Sequence, residues 1–345
     1  PEYREAARLL AKLAEDMPTE ADYRERWAFA LSNRALALVG TTRLREAQRL
    51  LSQAAALQKR LADDFPAVPD YQWELVASQG NLGITLRGLR NYAGAEKAFS
   101  QSLAISQKLV TRYPAEAAYR HDMAKDERNL ANLLGENLHR PKEAEKAYRR
   151  AVGLETKLAA QFPSVPAYRS ELAGSYADLG DLLGHTSRLR EAVEAYTQAL
   201  KLQEALTTAA PNNRAFRAAL ARSCARLAWL LVCAEAPPCP ETARAVALAK
   251  RAVQLSPKEG ASWFSLGAAQ YRVGNSKECL AALEQASQLG YTDEKAREWY
   301  ADALRSMGKN SPNDQKLLRF RAKAAALLGR KLPKPQRKAA PGRNG

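Results

Sequence analysis

An aromatic residue recurs at a nearly constant interval along the first two thirds of the chain. The recurring residues are Tyr23, Tyr71, Tyr119, Tyr168 and Phe216, and successive members lie 48, 48, 49 and 48 positions apart. A fixed period of this size is typical of a solenoid, in which each unit exposes an apolar face that only its neighbours cover. The period therefore predicts a repeat protein and not a set of unrelated domains.

Within each unit the apolar residues follow a helical pattern. Four residues after the aromatic stand Trp27, Leu75, Met123, Leu172 and Leu220, and fifteen residues after it stand Leu38, Leu86, Leu134, Leu183 and Leu231. These two positions are about three helical turns apart and share one helix face. The residue twelve positions after the aromatic is always small: Ala35, Gly83, Ala131, Gly180 and Ala228. A small residue there predicts that a second helix packs closely against the first.

The second helix of each unit has its own markers, a small residue, a large apolar residue and another small residue. They are Ala47, Leu51 and Ala54, then Ala95, Phe99 and Ser102, then Ala144, Tyr148 and Ala151, and finally Ala192, Tyr196 and Ala199. In the third unit the spacing predicts one extra residue in the loop between the helices. Because β-branched runs between turn signals are missing, the predicted class is all-α.

One segment, from Trp263 to Tyr291, resembles a tetratricopeptide repeat. The residues at the family's marker positions are Trp263, Leu266, Gly267, Cys279, Leu283 and Ala286, and Tyr291 replaces the terminal proline. The resemblance implies a right-handed α-α superhelical solenoid of helical hairpins. The family's repeat has about 34 residues, so the 48-residue units are predicted to carry helices about two turns longer, which rotates the apolar face by only ~20°.

These spacings predict six segments along the chain. They are the second helix of a truncated repeat at 1–21, four long repeats at 22–214, a hybrid repeat with a proline-rich loop at 215–260, a standard-length repeat at 261–294, a degenerate capping repeat at 295–328 and a basic disordered tail at 329–345. Since the first segment is half a hairpin, we expect the chain to be the C-terminal part of a longer protein.

Composition and motifs argue against several functions. No apolar stretch approaches the ~20 residues of a membrane span. No catalytic constellation, cofactor motif or metal-ligand spacing is found, so we predict no enzyme activity, no cofactor and no small-molecule substrate. The four cysteines are too few to staple a chain of 345 residues, which indicates a reducing, cytoplasmic location. The net charge of +16 leaves nucleic-acid binding as a weaker alternative, because no base-reading code recurs in the repeats.

A polar residue recurs ten positions after the aromatic, as Asn33, Asn81, Asn129 and Asp178. In tetratricopeptide-repeat proteins the first helices line a concave surface that binds an extended peptide, and the resemblance implies the same here. These side chains would then form a ladder able to bond a peptide backbone. The alternative is that they bond within the hairpin or to the next helix, and the sequence does not separate the two.

Basic residues also stand on several of the first helices. They are Arg87, Lys125, Arg222 and Arg226, the last two sharing a face with Trp229. This set predicts a partner with acidic groups or a C-terminal carboxylate, with Trp229 as an aromatic anchor. The alternatives are a solvated arginine face and a buried Trp229.

The sequence therefore predicts a scaffold that binds proteins or peptides. The junction F-P-x-V-P-x-Y, present at Phe65–Tyr71 and Phe162–Tyr168, is similar to that in the C-terminal arrays of bacterial serine/threonine protein kinases. This resemblance implies, as an alternative, a regulatory or substrate-recruiting region of a signalling kinase whose catalytic domain lies upstream.

Overall fold

A computed structural model describes residues 2–17, 19–233 and 240–291, and within these ranges every regular element is a helix. The chain divides into two compact units, the first ending at Arg188 and the second beginning at Leu189. The insert at 234–239, the predicted capping repeat at 295–328 and the predicted tail at 329–345 lie outside the described residues.

The described part of the first unit consists of consecutive helices that pack as hairpins. They are α1 (Glu2–Asp16), α2 (Ala21–Val39), α3 (Leu44–Asp64), α4 (Pro69–Gly88), α5 (Tyr92–Arg112), α6 (Ala117–Asn132), α7 (Pro141–Gln161) and α8 (Pro166–His185). We call α2, α4, α6 and α8 the first helices and α3, α5 and α7 the second helices. Each helix contacts the next one in the chain, and in addition α2 contacts α4 and α4 contacts α6. The first helices therefore lie side by side along the stack.

The second unit repeats the hairpin arrangement. Its described helices are α9 (Leu189–Ala209), α10 (Arg214–Cys233), α11 (Pro240–Leu255), α12 (Gly260–Arg272) and α13 (Ser276–Gln288). Helix α10 contacts α9, α11 and α12, and α12 contacts α13. The last two helices have 13 residues each and are shorter than those of the first unit.

The proline-rich junctions end one helix and begin the next. Helix α3 ends immediately before Phe65, whose N–H donates to the Leu61 carbonyl at 2.9 Å, and the Phe65 ring lies 5.8 Å from the Tyr71 ring. The junction before α8 is the same, with Phe162 5.8 Å from Tyr168. Prolines at the start of α4 and α8 supply a preset φ where no N–H is needed.

The small residue in the middle of each first helix does allow close packing. A Cβ built on Gly83 would lie 2.6 Å from the Phe99 ring, which is completely buried. The equivalent residues Ala35 and Ala131 have no exposed surface. At Gly267 in the second unit, a Cβ would lie 2.6 Å from the Leu283 side chain.

The extra residue of the third unit lies at the end of a helix, and its predicted place in the loop is wrong. A π-helical turn at Leu133–Asn137 follows α6, and the N–H of Leu138 donates to the Leu133 carbonyl at 3.1 Å. His139, which follows this segment, has a positive φ, as do Arg90 and Ser187 at the equivalent positions of the neighbouring hairpins. A π turn absorbs one residue while keeping the backbone bonded, so the loop keeps its length.

Candidate functional site

Three of the predicted ladder residues lie at equivalent positions of the first helices. Asn33, Asn81 and Asn129 are half-buried on α2, α4 and α6, and their side-chain amides have no hydrogen-bond partner among the described residues. The amides therefore remain open to a ligand, although their role in binding stays a prediction. Asp178, on α8, is also half-buried. The pKa of Tyr148 is raised by the burial of Tyr148 itself and, to a smaller extent, by the Asp178 carboxylate.

A cleft opens on the first unit between α4 and α6. The space between its walls, open solvent included, is about 340 Å³. Among the residues that line it are Gly80, Asn81, Asp122, Lys125, Asp126 and Asn129. The structure thus brings together three of the predicted site residues, namely Asn81, Lys125 and Asn129, around one concave surface.

A buried carboxyl group, that of Asp126, lies in the lining of the cleft. The residue is 5% exposed, its Oδ2 is hydrogen-bonded to the Ser102 hydroxyl, and that hydroxyl also lies 3.0 Å from the Val76 carbonyl. Burial raises the pKa of Asp126 to about 7, and the bond to Ser102 offsets part of this shift. The cleft is therefore lined by a carboxyl group whose pKa lies near neutrality.

The edge of the cleft carries both signs of charge. The Asp122 carboxylate accepts a hydrogen bond from the Trp73 indole at 2.7 Å and from Lys125 Nζ at 3.4 Å. Lys125 is exposed, whereas the Asp122 side chain is only 19% exposed. The basic side chain predicted at this position is thus held beside an acidic one.

The neighbouring junctions between first helices are closed at the same level. Between α2 and α4 the hydroxyls of Ser32 and Ser78 lie 3.1 Å apart. Between α6 and α8 the Arg128 guanidinium lies 3.5 Å from the Glu171 carbonyl oxygen. Between α4 and α6 the position of Ser32 and Arg128 is taken by Gly80, and Asp126 Oδ1 lies 2.7 Å from the place where a Cβ of residue 80 would stand.

A row of polar contacts joins the first helices nearer their N-terminal ends. The Trp73–Asp122 hydrogen bond joins α4 to α6, and His121 Nδ1 lies 3.0 Å from Glu171 Oε2, which joins α6 to α8. At the matching place between α2 and α4, burial and the nearby Glu25 carboxylate raise the pKa of Glu74 to about 7. Sequence reasoning missed this row, although its members recur two and three positions after the aromatic.

The exposed face of α2 is apolar around Asn33. Phe29 is 60% exposed and Leu36 is 46% exposed, and the three residues occupy one helix face at spacings of four and three. Single exposed apolar residues are common, but two large ones on either side of a ladder residue extend the candidate surface toward α2. Sequence reasoning overlooked both residues because their spacing also fits a core stripe.

The other three predicted basic residues do not line the cleft. Arg87 is half-buried in the last turn of α4 and is not part of the cleft lining. In the second unit, Arg222 and Arg226 are exposed on α10, four positions apart.

Trp229 lies in an aromatic stack inside the second unit. Its ring is half-buried and lies 5.1 Å from that of Phe264, which in turn lies 5.1 Å from Tyr291. This arrangement corresponds to the alternative in which Trp229 packs in the protein interior. Its predicted role as an exposed anchor gains no geometric support.

The two cysteines whose side chains the structure describes lie in the protein interior. Cys224 and Cys279 are buried, and burial raises their thiol pKa values to about 11 and about 12. No group of three potential metal ligands assembles in the ranges that the structure describes. Within the same ranges, no helix has the length and apolar character needed to cross a membrane.

Comparison with known proteins identifies the repeat type. The sequence profile of the tetratricopeptide repeat family matches residues 173–206. This segment contains Gly180 and the second-helix markers Ala192, Tyr196 and Ala199. A comparison with curated protein sequences gave no significant match.

Solved structures are similar to the chain at low sequence identity, and the first of them shares its fold. BtubC (BKLC) from P. vanneervenii aligns with a TM-score of 0.55 and 16% identity, covering 88% of this chain and all of that one. PilF from Pseudomonas aeruginosa aligns with a TM-score of 0.47 and 14% identity, covering 76% of this chain and 95% of that one. The fold and the repeat match together define an all-α solenoid of tetratricopeptide-type hairpins.

Proposed function

We propose that the chain is an interaction scaffold whose first unit binds an extended protein segment along the exposed face of α2, α4 and α6. The observation that carries this proposal is the cleft between α4 and α6 with the open amides of Asn81 and Asn129 at its side. Each amide offers both a donor and an acceptor, so it can bond a peptide group whatever side chain the ligand carries.

The spacing of the ladder suits an extended chain. Packed helices lie about 8–10 Å apart, and an extended peptide rises about 3.3 Å per residue. Neighbouring first helices would therefore meet the ligand at about every third residue. The exposed Phe29 and Leu36 beside Asn33 favour an apolar residue at the end of the segment that lies over α2.

Selection from a displayed library of random 12-residue peptides on the full chain tests this proposal. A peptide that binds through the ladder should lose about thirtyfold in affinity for an Asn81→Ala/Asn129→Ala variant, because the two lost hydrogen bonds contribute about 1 kcal/mol each. Gln101→Ala, an exposed substitution on second helix α5, is the matched control. Selected peptides that bind both variants equally well would contradict the proposal.

The acidic partner group is a further part of the proposal and concerns the second unit. The exposed Arg222 and Arg226 on α10 would suit a carboxylate of a binding partner. Arg226→Glu should weaken capture of such a partner more than Arg343→Glu in the C-terminal segment. Equal effects would remove α10 from the binding surface.

The kinase-linked alternative rests on the resemblance of the junctions alone. On that proposal, the 48-residue repeats form a recruiting region, and the gene encodes a catalytic domain upstream of Pro1. Reading the upstream coding sequence decides it, because a strand followed by G-x-G-x-x-G and a later H-R-D loop must be present.

A further inference from the structure

We propose that the cleft between α4 and α6 is a pocket for the cationic side chain of a lysine or arginine in the bound segment, with the Asp126 carboxylate as its acceptor. The inference rests on the proposed function and names the chemistry of one position of the ligand. It reverses the sign that the basic residues of the sequence suggest for this part of the surface.

The open oxygen of Asp126 is the first argument. Oδ2 is bonded to Ser102, whereas Oδ1 has no donor among the described residues and lies beside Gly80, where an added Cβ would be only 2.7 Å away. A residue with any side chain at position 80 would therefore cover this oxygen. The residue is 5% exposed and lines the cleft, so what remains accessible of its side chain opens into the pocket.

The second argument is that Asp126 and Gly80 each differ from the residues at the equivalent positions of the other units. Asp126 stands seven positions after the aromatic of its unit, where the other units have Ala30, Ser78, Ser175 and Ser223. Gly80 stands nine positions after its aromatic, where the others have Ser32, Arg128, Ala177 and Ala225. Since the other units pack without a carboxyl group or a glycine here, the fold itself does not require either.

The balance of donors and acceptors is the third argument. The lining offers Asp126 Oδ1, the Asp122 carboxylate and the amide oxygens of Asn81 and Asn129 as acceptors, and Lys125 at the edge as the charged donor. A buried carboxyl group without a positive partner is unfavourable in its charged form. A ligand cation would supply the missing charge.

Proton binding at Asp126 should be coupled to ligand binding. The charged groups that face it are Asp122, Lys125 and Glu127, all on α6, and Glu127 is itself paired with Arg150 of α7. The residues of α4 and α5 next to it, Gly80 and Ser102, are uncharged. With an Asp126 pKa of about 7, affinity for a cation should rise about tenfold between about pH 6 and about pH 8 as the carboxylate forms.

Titration of the full chain with a minimal ligand tests the pocket without any partner protein. The probe is Nα-acetyl-L-lysine N-methylamide, and its norleucine counterpart is the uncharged control of similar length. With ¹³C-labelled aspartate and ¹⁵N-labelled asparagine, we expect the lysine probe to shift the Asp126 carboxyl and the Asn81 and Asn129 amide resonances. Binding should lower the Asp126 pKa, and Asp126→Asn should weaken binding at least tenfold.

Two further variants separate the proposal from its competitors. Lys125→Ala should tighten binding of the lysine probe severalfold, because it removes a competing cation, whereas Lys108→Ala on α5 should leave it unchanged. Equal shifts with lysine and norleucine, or an Asp126 pKa that the probe does not move, would overturn the proposal. The pKa is measured on the unmodified chain, so this result does not depend on the folding of any variant.

The experiments distinguish an error in the pocket proposal from an error in the proposed function. If the lysine probe does not bind but selected peptides still depend on Asn81 and Asn129, only the pocket proposal is wrong. If the probe binds but selected peptides ignore the ladder, only the scaffold surface is wrong.

Discussion

Gly83→Ala should destabilise the protein even though alanine is the better helix former. In the middle of a helix the change from glycine to alanine stabilises by about 0.5–1 kcal/mol. Against this, the new Cβ would lie 2.6 Å from the ring of Phe99, which is completely buried and surrounded by packed side chains. Overpacking of this kind costs about 1–3 kcal/mol, so the net effect should be a loss of about 0.5–2 kcal/mol.

Gly153→Ala is the matched control for this effect. Gly153 lies in the interior of α7, is exposed, and a Cβ there would meet no atom within 4 Å. The same substitution should therefore stabilise the chain by about 0.5–1 kcal/mol. Because the helix-propensity gain is common to both sites, the two variants should differ by about 1–3 kcal/mol, which is the overpacking term alone.

Urea denaturation followed by far-UV circular dichroism measures the difference. Since units of a repeat protein can unfold separately, amide exchange in α4 and α7 should show that the affected transition is that of the first unit. In a unit of this size, 1 kcal/mol moves the Tm by about 2–4 °C. If Gly83→Ala stabilises as much as Gly153→Ala, the close approach of α4 and α5 is wrong.

Three further predictions concern titratable groups. The pKa of His121 is raised, chiefly by the hydrogen-bonding and charge interaction with Glu171. His121→Gln should therefore lower the free energy of unfolding below about pH 6.5, and this loss should shrink as pH rises through the folded-state pKa. Urea denaturation at several pH values measures the loss. Burial is the main cause that raises the pKa of Glu74 to about 7, so ionisation of Glu74 opposes folding above the unfolded-state pKa of about 4.3. Glu74→Gln should therefore raise the free energy of unfolding by about 1–3 kcal/mol at about pH 8 and leave it unchanged at about pH 4. An equal effect at both pH values would contradict the burial of Glu74. In a Cys233→Ser/Cys239→Ser background, Cys224 and Cys279 should resist a thiol reagent until the chain unfolds, because both are buried with raised pKa values; rapid labelling of the native protein would show that these helices are not packed as described.

The hairpins were predictable from the sequence because their packing repeats at positions that a helix brings to one face. Gly83 and Phe99 lie at such positions, and the place of each residue in its own helix predicts that it packs against the other helix. The π turn at Leu133–Asn137 was assigned to the loop instead, because counting residues locates an insertion between two markers but not within that interval.

The ladder was predictable for the same reason, whereas the chemistry of the cleft was not. Asn81 and Asn129 recur with the period. Gly80 and Asp126 differ from the residues at the equivalent positions of the other units, and they matter only because they meet across two helices. The sequence also suggested a basic surface from Lys125, without showing that Asp122 lies beside it. Relations between residues of adjacent units depend on the exact offset of the helices, which periodicity does not specify.

Hydrogen exchange of the full chain with and without a selected peptide tests the central claim most directly. If the first helices form the binding surface, peptide binding should slow amide exchange in segments 69–88 and 117–137, which flank the cleft, and leave the second helices 92–112 and 141–161 unchanged. Protection confined to the second helices would contradict the account, because it would place the bound segment on the opposite face of the hairpins.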